Sequence, residues 1–212
     1  MIEELFSKRK QINFFRDDLY PKEELIKSLL EKTYEAVPSK QNLMPYEVLV
    51  LGPDQAEAKT KLYNLAGKKY YDATNIHDSE SNFTKPPQNF QLLAPYVLLF
   101  TQRLALPANK TTMARLRRGH RYQVCDPEKY KKAIIIPTIE IGMFMTTLTA
   151  LCMENNIDVA YTGCLPNSET SYKNIEYVNE KVYVAMSLGY EKIYVKIEDE
   201  DKPRLDEVIT WI

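Results

Sequence analysis

Apolar and polar positions along the chain alternate between helical and extended spacing, without a regular strand–helix–strand beat. From Pro21 to Ala36, the residues Leu25, Ile26, Leu29, Leu30 and Thr33 recur at helical spacing and form one stripe. Pro21 suits a first helical position, and Glu23 and Glu24 suit the positive end of a helix. Val37-Pro38 ends it, because a residue preceding proline is biased out of the helical region. Glu47 to Leu51 is a short run rich in valine and leucine, closed by Gly52-Pro53, and predicts a strand. A second helix is expected from about Asp54, a potential N-cap, to Ala66, with Gly67 as its stop. Residues 68 to 90 are polar and turn-rich and read as a long loop of the kind that serves as a lid or binding segment. Tyr96 to Thr101 is continuously apolar, the pattern of a strand covered on both faces.

The most apolar helix is expected from Thr138 or Glu140 to Asn155. Its Ile141, Met143, Phe144, Met145, Leu148, Ala150, Leu151 and Met153 cover nearly every face, so it must be surrounded by its own core or by a partner subunit. Asn155-Asn156 supplies a left-handed stop. Asp158 to Thr162 and Lys181 to Leu188 are two more buried strands, and the tail Glu207 to Ile212 is a candidate for another. No repeat or low-complexity block divides residues 1–212, so the reading is a single domain of the α+β class.

Composition changes this picture little. Hydrophobic residues make up 44% and charged residues 27%, ordinary values for a soluble globular chain of 212 residues. A net charge of -1 provides no general attraction for nucleic acid or an anionic membrane. Only 6 glycines are present, and neither a GxGxxG nor a P-loop pattern occurs. The 3 cysteines, Cys125, Cys152 and Cys164, have no CxxC spacing, which fits a reducing cytoplasm better than a disulfide framework. The first residues, MIEELFSKRKQ, lack the apolar core of a secretory leader. The apolar stretch Ile134 to Leu151 is interrupted by Pro137, Glu140 and several threonines and does not read as a membrane span.

Two segments carry candidate chemistry. Lys8-Arg9-Lys10-Gln11-Ile12-Asn13-Phe14-Phe15 places three cations ahead of two amides, a set that can pin a phosphate and hydrogen-bond a polar ring edge. Alone, such a run is usually a solvated helix end. Ala36-Val37-Pro38-Ser39-Lys40-Gln41-Asn42-Leu43-Met44-Pro45-Tyr46 joins a helix to a strand through a Pro-Ser turn that exposes backbone N–H groups and a hydroxyl. Alone, it is an ordinary loop.

Together, in this order and spacing, the two segments resemble the nitroreductase family of FMN-dependent oxidoreductases. That family opens with an Arg-Arg-Ser-x-Arg-x-Phe-like segment, then a helix, then Pro-Ser-x-x-Asn-x-Gln-Pro-Trp leading into a strand. Glu140-Ile141-Gly142 to Asn155, the segment Asp158 to Cys164, Leu188-Gly189-Tyr190 and Lys202-Pro203-Arg204 are similar to its later elements. The resemblance implies a mostly antiparallel sheet flanked by helices in a three-layer arrangement, in an intertwined homodimer with two FMN molecules at the interface. It implies that Arg9, Lys202 and Arg204 neutralise the FMN phosphate, with Lys10 and Gln11 reaching the phosphate or the ribityl chain. Pro38, Ser39, Lys40 and Asn42 would come from the second subunit. Tyr161, Thr162, Gly163 and Cys164 would run along the isoalloxazine, their backbone N–H groups near N5, and Asn89 or Gln91 would meet the pyrimidine edge. NADH or NADPH would deliver hydride, and an electron-poor small molecule such as a nitroaromatic or quinone would take the electrons. The protein itself contributes no acid–base or nucleophilic residue to such chemistry, which the cofactor performs. A flavin-binding protein without efficient turnover and a specialised branch, dehalogenating or flavin-cleaving, are the alternatives.

Three positions depart from the family pattern: Gln11 stands in place of Ser, Asn13 in place of Arg or Lys, and Met44-Pro45-Tyr46 in place of Gln-Pro-Trp. A cation at position 13 would stabilise the negative charge of reduced flavin, so Asn13 implies a lower reduction potential. The basic stretch Met113 to Tyr122 reads as a solvated face, with contact to a nicotinamide cofactor's phosphate or an acidic substrate as its functional alternative. His77 and His120 stand apart without a metal-binding pattern, and Cys164 reads as a small packed thiol.

Overall fold

The computed structural model describes residues 2–7, 9–10, 12–39, 44–74, 89–103, 135–166, 169–178, 181–192, 203 and 205–210. The continuously apolar run becomes strand β2 (Tyr96–Gln102), buried at every position but its last. It lies inside an antiparallel sheet, between β1 (Tyr46–Leu51) and β4 (Val182–Gly189), with β3 (Asp158–Thr162) on the far side of β4. Side chains on a strand point alternately to opposite faces, so β2 supplies two cores at once. Tyr96, Leu98 and Phe100 face one core with Ile26 and Leu29 of helix α2 (Glu23–Ala36) and Ile141, Phe144 and Leu148 of helix α4 (Ile135–Glu154). Val97 and Leu99 face the other, with Leu62 and Ala66 of helix α3 (Ala56–Thr74) and Leu92 of the 3-10 turn Phe90–Leu93. The result is helix, sheet and helix in three layers. A bulge at Phe100/Thr101, where Phe100 opposes Val184 and Thr101 opposes Val182, leaves Tyr183 as the extra residue.

Several boundaries differ from expectation, each for a local reason. Helix α2 starts at Glu23 rather than Pro21, with Lys22 in extended geometry at its N-cap, while Pro21 is buried. Helix α3 starts at Ala56, two residues after Asp54, and runs through Gly67 to Thr74, into the expected loop. One glycine costs a helix only about 1 kcal/mol, and the buried Leu62 and Ala66 hold the turn before it. Helix α4 begins before Pro137, which stands third, where an amide hydrogen has no intrahelical acceptor in any case. It ends as expected: Asn156 has φ 56°, its N–H donates to Met153 O, and Ile157 N–H donates to Cys152 O. The helix is not enclosed on all sides, for Ile139 and Met143 are 56% and 44% exposed. Where a tail strand was expected from Glu207 to Ile212, Glu207 and Val208 instead belong to a short helix α5 (Leu205–Val208), and residues 211–212 lie outside the described residues. Leu205 and Val208 of this helix and Ile209 just after it stand at helical, not alternating, spacing, and all three are exposed. A first helix, α1 (Ile2–Ser7), precedes the N-terminal arm.

Two contacts lock the layers together. Lys59 of α3 is buried and donates from Nζ to the carbonyls of Ala94 and Pro95, both at 3.0 Å, which ties α3 to the approach of β2. Burial lowers its pKa to about 8. At the end of β4, a Cβ on Gly189 would lie 2.9 Å from Phe15 Cδ1 and 3.0 Å from Pro95 Cδ, so only glycine lets the N-terminal arm cross there.

Gly189→Ala is therefore expected to destabilise the fold by roughly 1–3 kcal/mol. Gly67→Ala, whose added methyl meets nothing within 4 Å, should stabilise it by about 0.5–1 kcal/mol, both read from urea denaturation. Because the folded pKa of Lys59 is depressed, the unfolded chain holds more protons between about pH 8 and its ordinary 10.5. Stability should therefore rise by on the order of 2 kcal/mol from pH 8 to pH 10 relative to Lys59→Met, and parallel pH profiles for the two proteins would refute this.

Candidate functional site

The N-terminal arm is held by backbone pairing to the exit of β4. Phe15 bridges Glu191, Arg16 N–H donates to Tyr190 O at 2.8 Å, and Lys192 N–H donates to Phe14 O at 2.9 Å. Buried Ile12 and Phe15 anchor the arm in the core beside α3, and Phe14 stacks on Phe90, which stacks in turn on Tyr63. Those anchors set where the polar residues of the arm go. The Arg9 guanidinium lies 4.9 Å from the centre of the Tyr161 ring, a cation–π contact that joins the arm to the end of β3. Lys10 Nζ pairs with Glu191 Oε2 at 2.5 Å, and both are partly exposed, so the pair adds little to stability. Asn13 is half-buried between Ile12 and Phe14 in the chain.

At the end of β3, Tyr161 is fixed by α4. Thr149 donates its hydroxyl hydrogen to Met145 O, so the hydrogen shared between Thr149 and Tyr161 comes from the tyrosine. Gly163 and Cys164 are exposed, and Leu165 N–H closes a tight turn onto Gly163 O at 2.8 Å. Cys164 is thus not the packed thiol its composition suggested. Cys152 is, and burial pushes its pKa up to about 12.

A row of polar side chains lies buried on the α3 side of the sheet. Thr162 pairs across strands with Ala185, Thr101 with Val182, and Ser187 with Val97 and Ala160, all on that face. The hydroxyls of Thr101, Thr162 and Ser187 have no hydrogen-bond partner among the described residues. The 3-10 turn packs against β3 and β4 and brings Asn89 and Gln91, 8% and 6% exposed, over the same face. Gln91 Nε2 donates weakly to Asn89 Oδ1 at 3.4 Å, and Asn89 Nδ2 and Gln91 Oε1 have no partner among the described residues. Buried polar atoms are almost always satisfied, so such a row asks for a bound molecule or water.

The Pro38-Ser39 turn lies elsewhere. Ser39 Oγ donates to the buried carboxylate of Glu140 at 2.7 Å and accepts from Met44 N–H at 2.8 Å. Glu140 and Thr149 stand nine residues apart on α4, about 14 Å along its axis. Ser39 and the Arg9–Tyr161 pair are therefore anchored at separate points of one helix. Gln11, Lys40, Asn42, Lys202 and Arg204 lie outside the described residues, as do His77, His120, Cys125 and the basic stretch 113–122. Glu140 is not among the residues expected at the site, although a lone acid inside an apolar helix is itself a signal of a polar partner. Among the described residues no group of three or more His, Cys, Asp or Glu could hold a metal ion, and no helix is long and apolar enough to cross a membrane.

The model of the nitroreductase family matches residues 7–190. The chain belongs to the nitroreductase family. Solved structures share this nitroreductase-family fold at low sequence identity. A putative NAD(P)H:FMN oxidoreductase from Staphylococcus epidermidis is 16% identical, with TM-score 0.68 over 100% of this chain and 96% of the other. A BluB-like flavoprotein from Clostridium difficile 630 is 18% identical, with TM-score 0.65 over 100% and 99% of the two chains. A nitroreductase with bound FMN from Desulfitobacterium hafniense DCB-2 is 13% identical, with TM-score 0.62 over 99% and 97%. No curated protein sequence matches the chain. The antiparallel sheet with flanking helices expected from the nitroreductase resemblance is thus the fold observed.

Proposed function

We propose that this nitroreductase-family chain is an FMN-dependent oxidoreductase, and that it works as a homodimer in which both subunits line each flavin site. The observation that carries the reading is the set of unpaired buried atoms among the residues expected at the flavin ring. Asn89 Nδ2 is a donor, Gln91 Oε1 an acceptor, and Thr162 Oγ1 a donor. That set complements a pyrimidine edge, which presents a carbonyl, an N–H and a second carbonyl. The residues present fit the group.

FMN, when bound, supplies the redox chemistry: it accepts hydride from NADH or NADPH and passes electrons to a small electron-poor acceptor such as a nitroaromatic or quinone. The chain's part is to hold and orient. Arg9 carries the charge that would meet the phosphate, with Lys202 and Arg204 as its expected companions and Lys10 and Gln11 toward the ribityl chain. Gly163 and Cys164, exposed beyond β3, would run along the ring. Pro38, Ser39, Lys40 and Asn42 would close the site from the second subunit. The separation of the Ser39 and Tyr161 anchors supports that division. So does the apolar surface a partner could cover: Ile139 and Met143 on α4, and a groove of about 320 Å³ lined by Leu30, Tyr34, Val48, Val50 and Phe144.

The purified protein should be yellow and should bleach on anaerobic addition of NADH or NADPH. Yellow protein inert to both would make it a flavin binder, and a colourless protein that takes up no FMN would overturn the proposal. The double variant Asn89→Leu/Gln91→Met should weaken FMN binding about tenfold or more yet raise the melting temperature of the FMN-free protein, because it removes unpaired buried groups. A separate expectation concerns Asn13, where the family pattern has a cation. Asn13→Lys should raise the flavin midpoint potential by about 20–60 mV, roughly 1–3 kcal/mol for a two-electron couple. An unchanged midpoint in a redox titration would reject it.

A further inference from the structure

Glu140 is 5% exposed, and its carboxylate sits in a helix whose neighbouring core positions are Ile141 and Phe144. Burying a carboxylate is costly unless hydrogen bonds compensate, so its partners define its task. One is Ser39, 101 residues earlier in the chain. The serine hydroxyl has a single hydrogen, and Glu140 Oε2 takes it at 2.7 Å. With that hydrogen committed, a lone pair of Ser39 Oγ receives Met44 N–H at 2.8 Å.

Met44 needs this support. Its φ of 46° lies in the left-handed region, which costs a residue with a Cβ roughly 1–2 kcal/mol. Its carbonyl accepts from Arg103 Nε at 3.0 Å, and Pro45 O accepts from Arg103 N–H at 3.2 Å. Met44 and Pro45 are thus held from the β2 end by Arg103, and Met44 from the α4 end by the Glu140–Ser39 relay. A charged acceptor makes the second clamp stronger than a neutral one would be.

We propose that Glu140 is a positioning residue for the flavin site: acting through Ser39, it holds Ser39 against Met44, and Ser39 serves FMN through its backbone rather than by donating its hydroxyl. This rests on the proposed function and specifies how Ser39 takes part in it. A Ser39 hydroxyl that donated to a phosphate would have to release Glu140 and leave a buried carboxylate short of a hydrogen bond.

The test compares wild type, Glu140→Ala, Glu140→Gln, Ser39→Ala and the Glu140→Ala/Ser39→Ala double variant as full-length proteins. Two readouts are taken: FMN dissociation constant by flavin fluorescence, and hydrogen exchange of peptides covering residues 39–46 in the FMN-free proteins. Glu140→Ala and Ser39→Ala should each weaken FMN binding at least tenfold and speed exchange in that peptide. The double variant should be no worse than either single one, since the relay is a unit. Glu140→Gln keeps an acceptor oxygen and should stay within about threefold of wild type. If Glu140→Ala unfolds the chain, Ser39→Ala still decides the matter. Wild type that binds FMN with Glu140→Ala or Ser39→Ala binding equally well overturns this inference and leaves the proposed function standing. Additive losses in the double variant overturn it likewise. Wild type that takes up no FMN overturns the proposed function, and the flavin role of Glu140 with it.

Discussion

Strand β2 has no solvated side, and the rest of the structure answers to that. Val97, Leu98, Leu99 and Phe100 are completely buried, and each apolar side chain so placed is worth about 1.5–3 kcal/mol. A strand that is apolar on both faces cannot stand at the surface of a two-layer domain, so helices must cover both sides. α2 and α4 take one side, α3 and the 3-10 turn the other. Once β2 is central, its antiparallel neighbours β1 and β4 follow, and the N-terminal arm docks where β4 ends, through the space that Gly189 leaves for Phe15 and Pro95.

Helix α4 then acts as a ruler for the polar chemistry. Its apolar side chains fix its position on the sheet, and two polar side chains on it reach in different directions. Glu140 holds Ser39 near one end, and Thr149 holds Tyr161 about 14 Å further along. Arg9 joins the second of these anchors, not the first. The two anchored groups, Ser39 and Tyr161, are therefore held apart within a single copy of the chain. The same helix leaves Ile139 and Met143 exposed.

Much of the fold was legible in the sequence where one strong local signal governed a segment. Helix α2 showed its stripe, β2 its unbroken apolar run, and α4 its left-handed stop at Asn156. Expectations failed where a weak local signal met a strong tertiary one. Gly67 did not end α3, because the core contacts of Leu62 and Ala66 outweigh one glycine, and Pro137 did not delay α4, because the first turn tolerates proline. The tail fared differently: reading Glu207 to Ile212 as a strand ignored the helical spacing of Leu205, Val208 and Ile209. In the candidate site, Asn89, Gln91 and Thr162 could be named from order and resemblance. That they form one buried unpaired row with Thr101 and Ser187 could not, because this depends on the register between β2, β3 and β4.

By itself, then, the sequence determined which face of each element is apolar, where most chain reversals fall, and which segments carry positive charge, since all of these are written in spacing over a few residues. The tertiary structure alone decided that Ser39 spends its hydroxyl on Glu140, that Arg9 rests on Tyr161 while Lys10 pairs with Glu191, and that Cys152 rather than Cys164 is the sheltered thiol. Those outcomes join groups from distant parts of the chain. Their distances are set by how the layers slide to pack their apolar faces, and no periodicity within one segment records that sum.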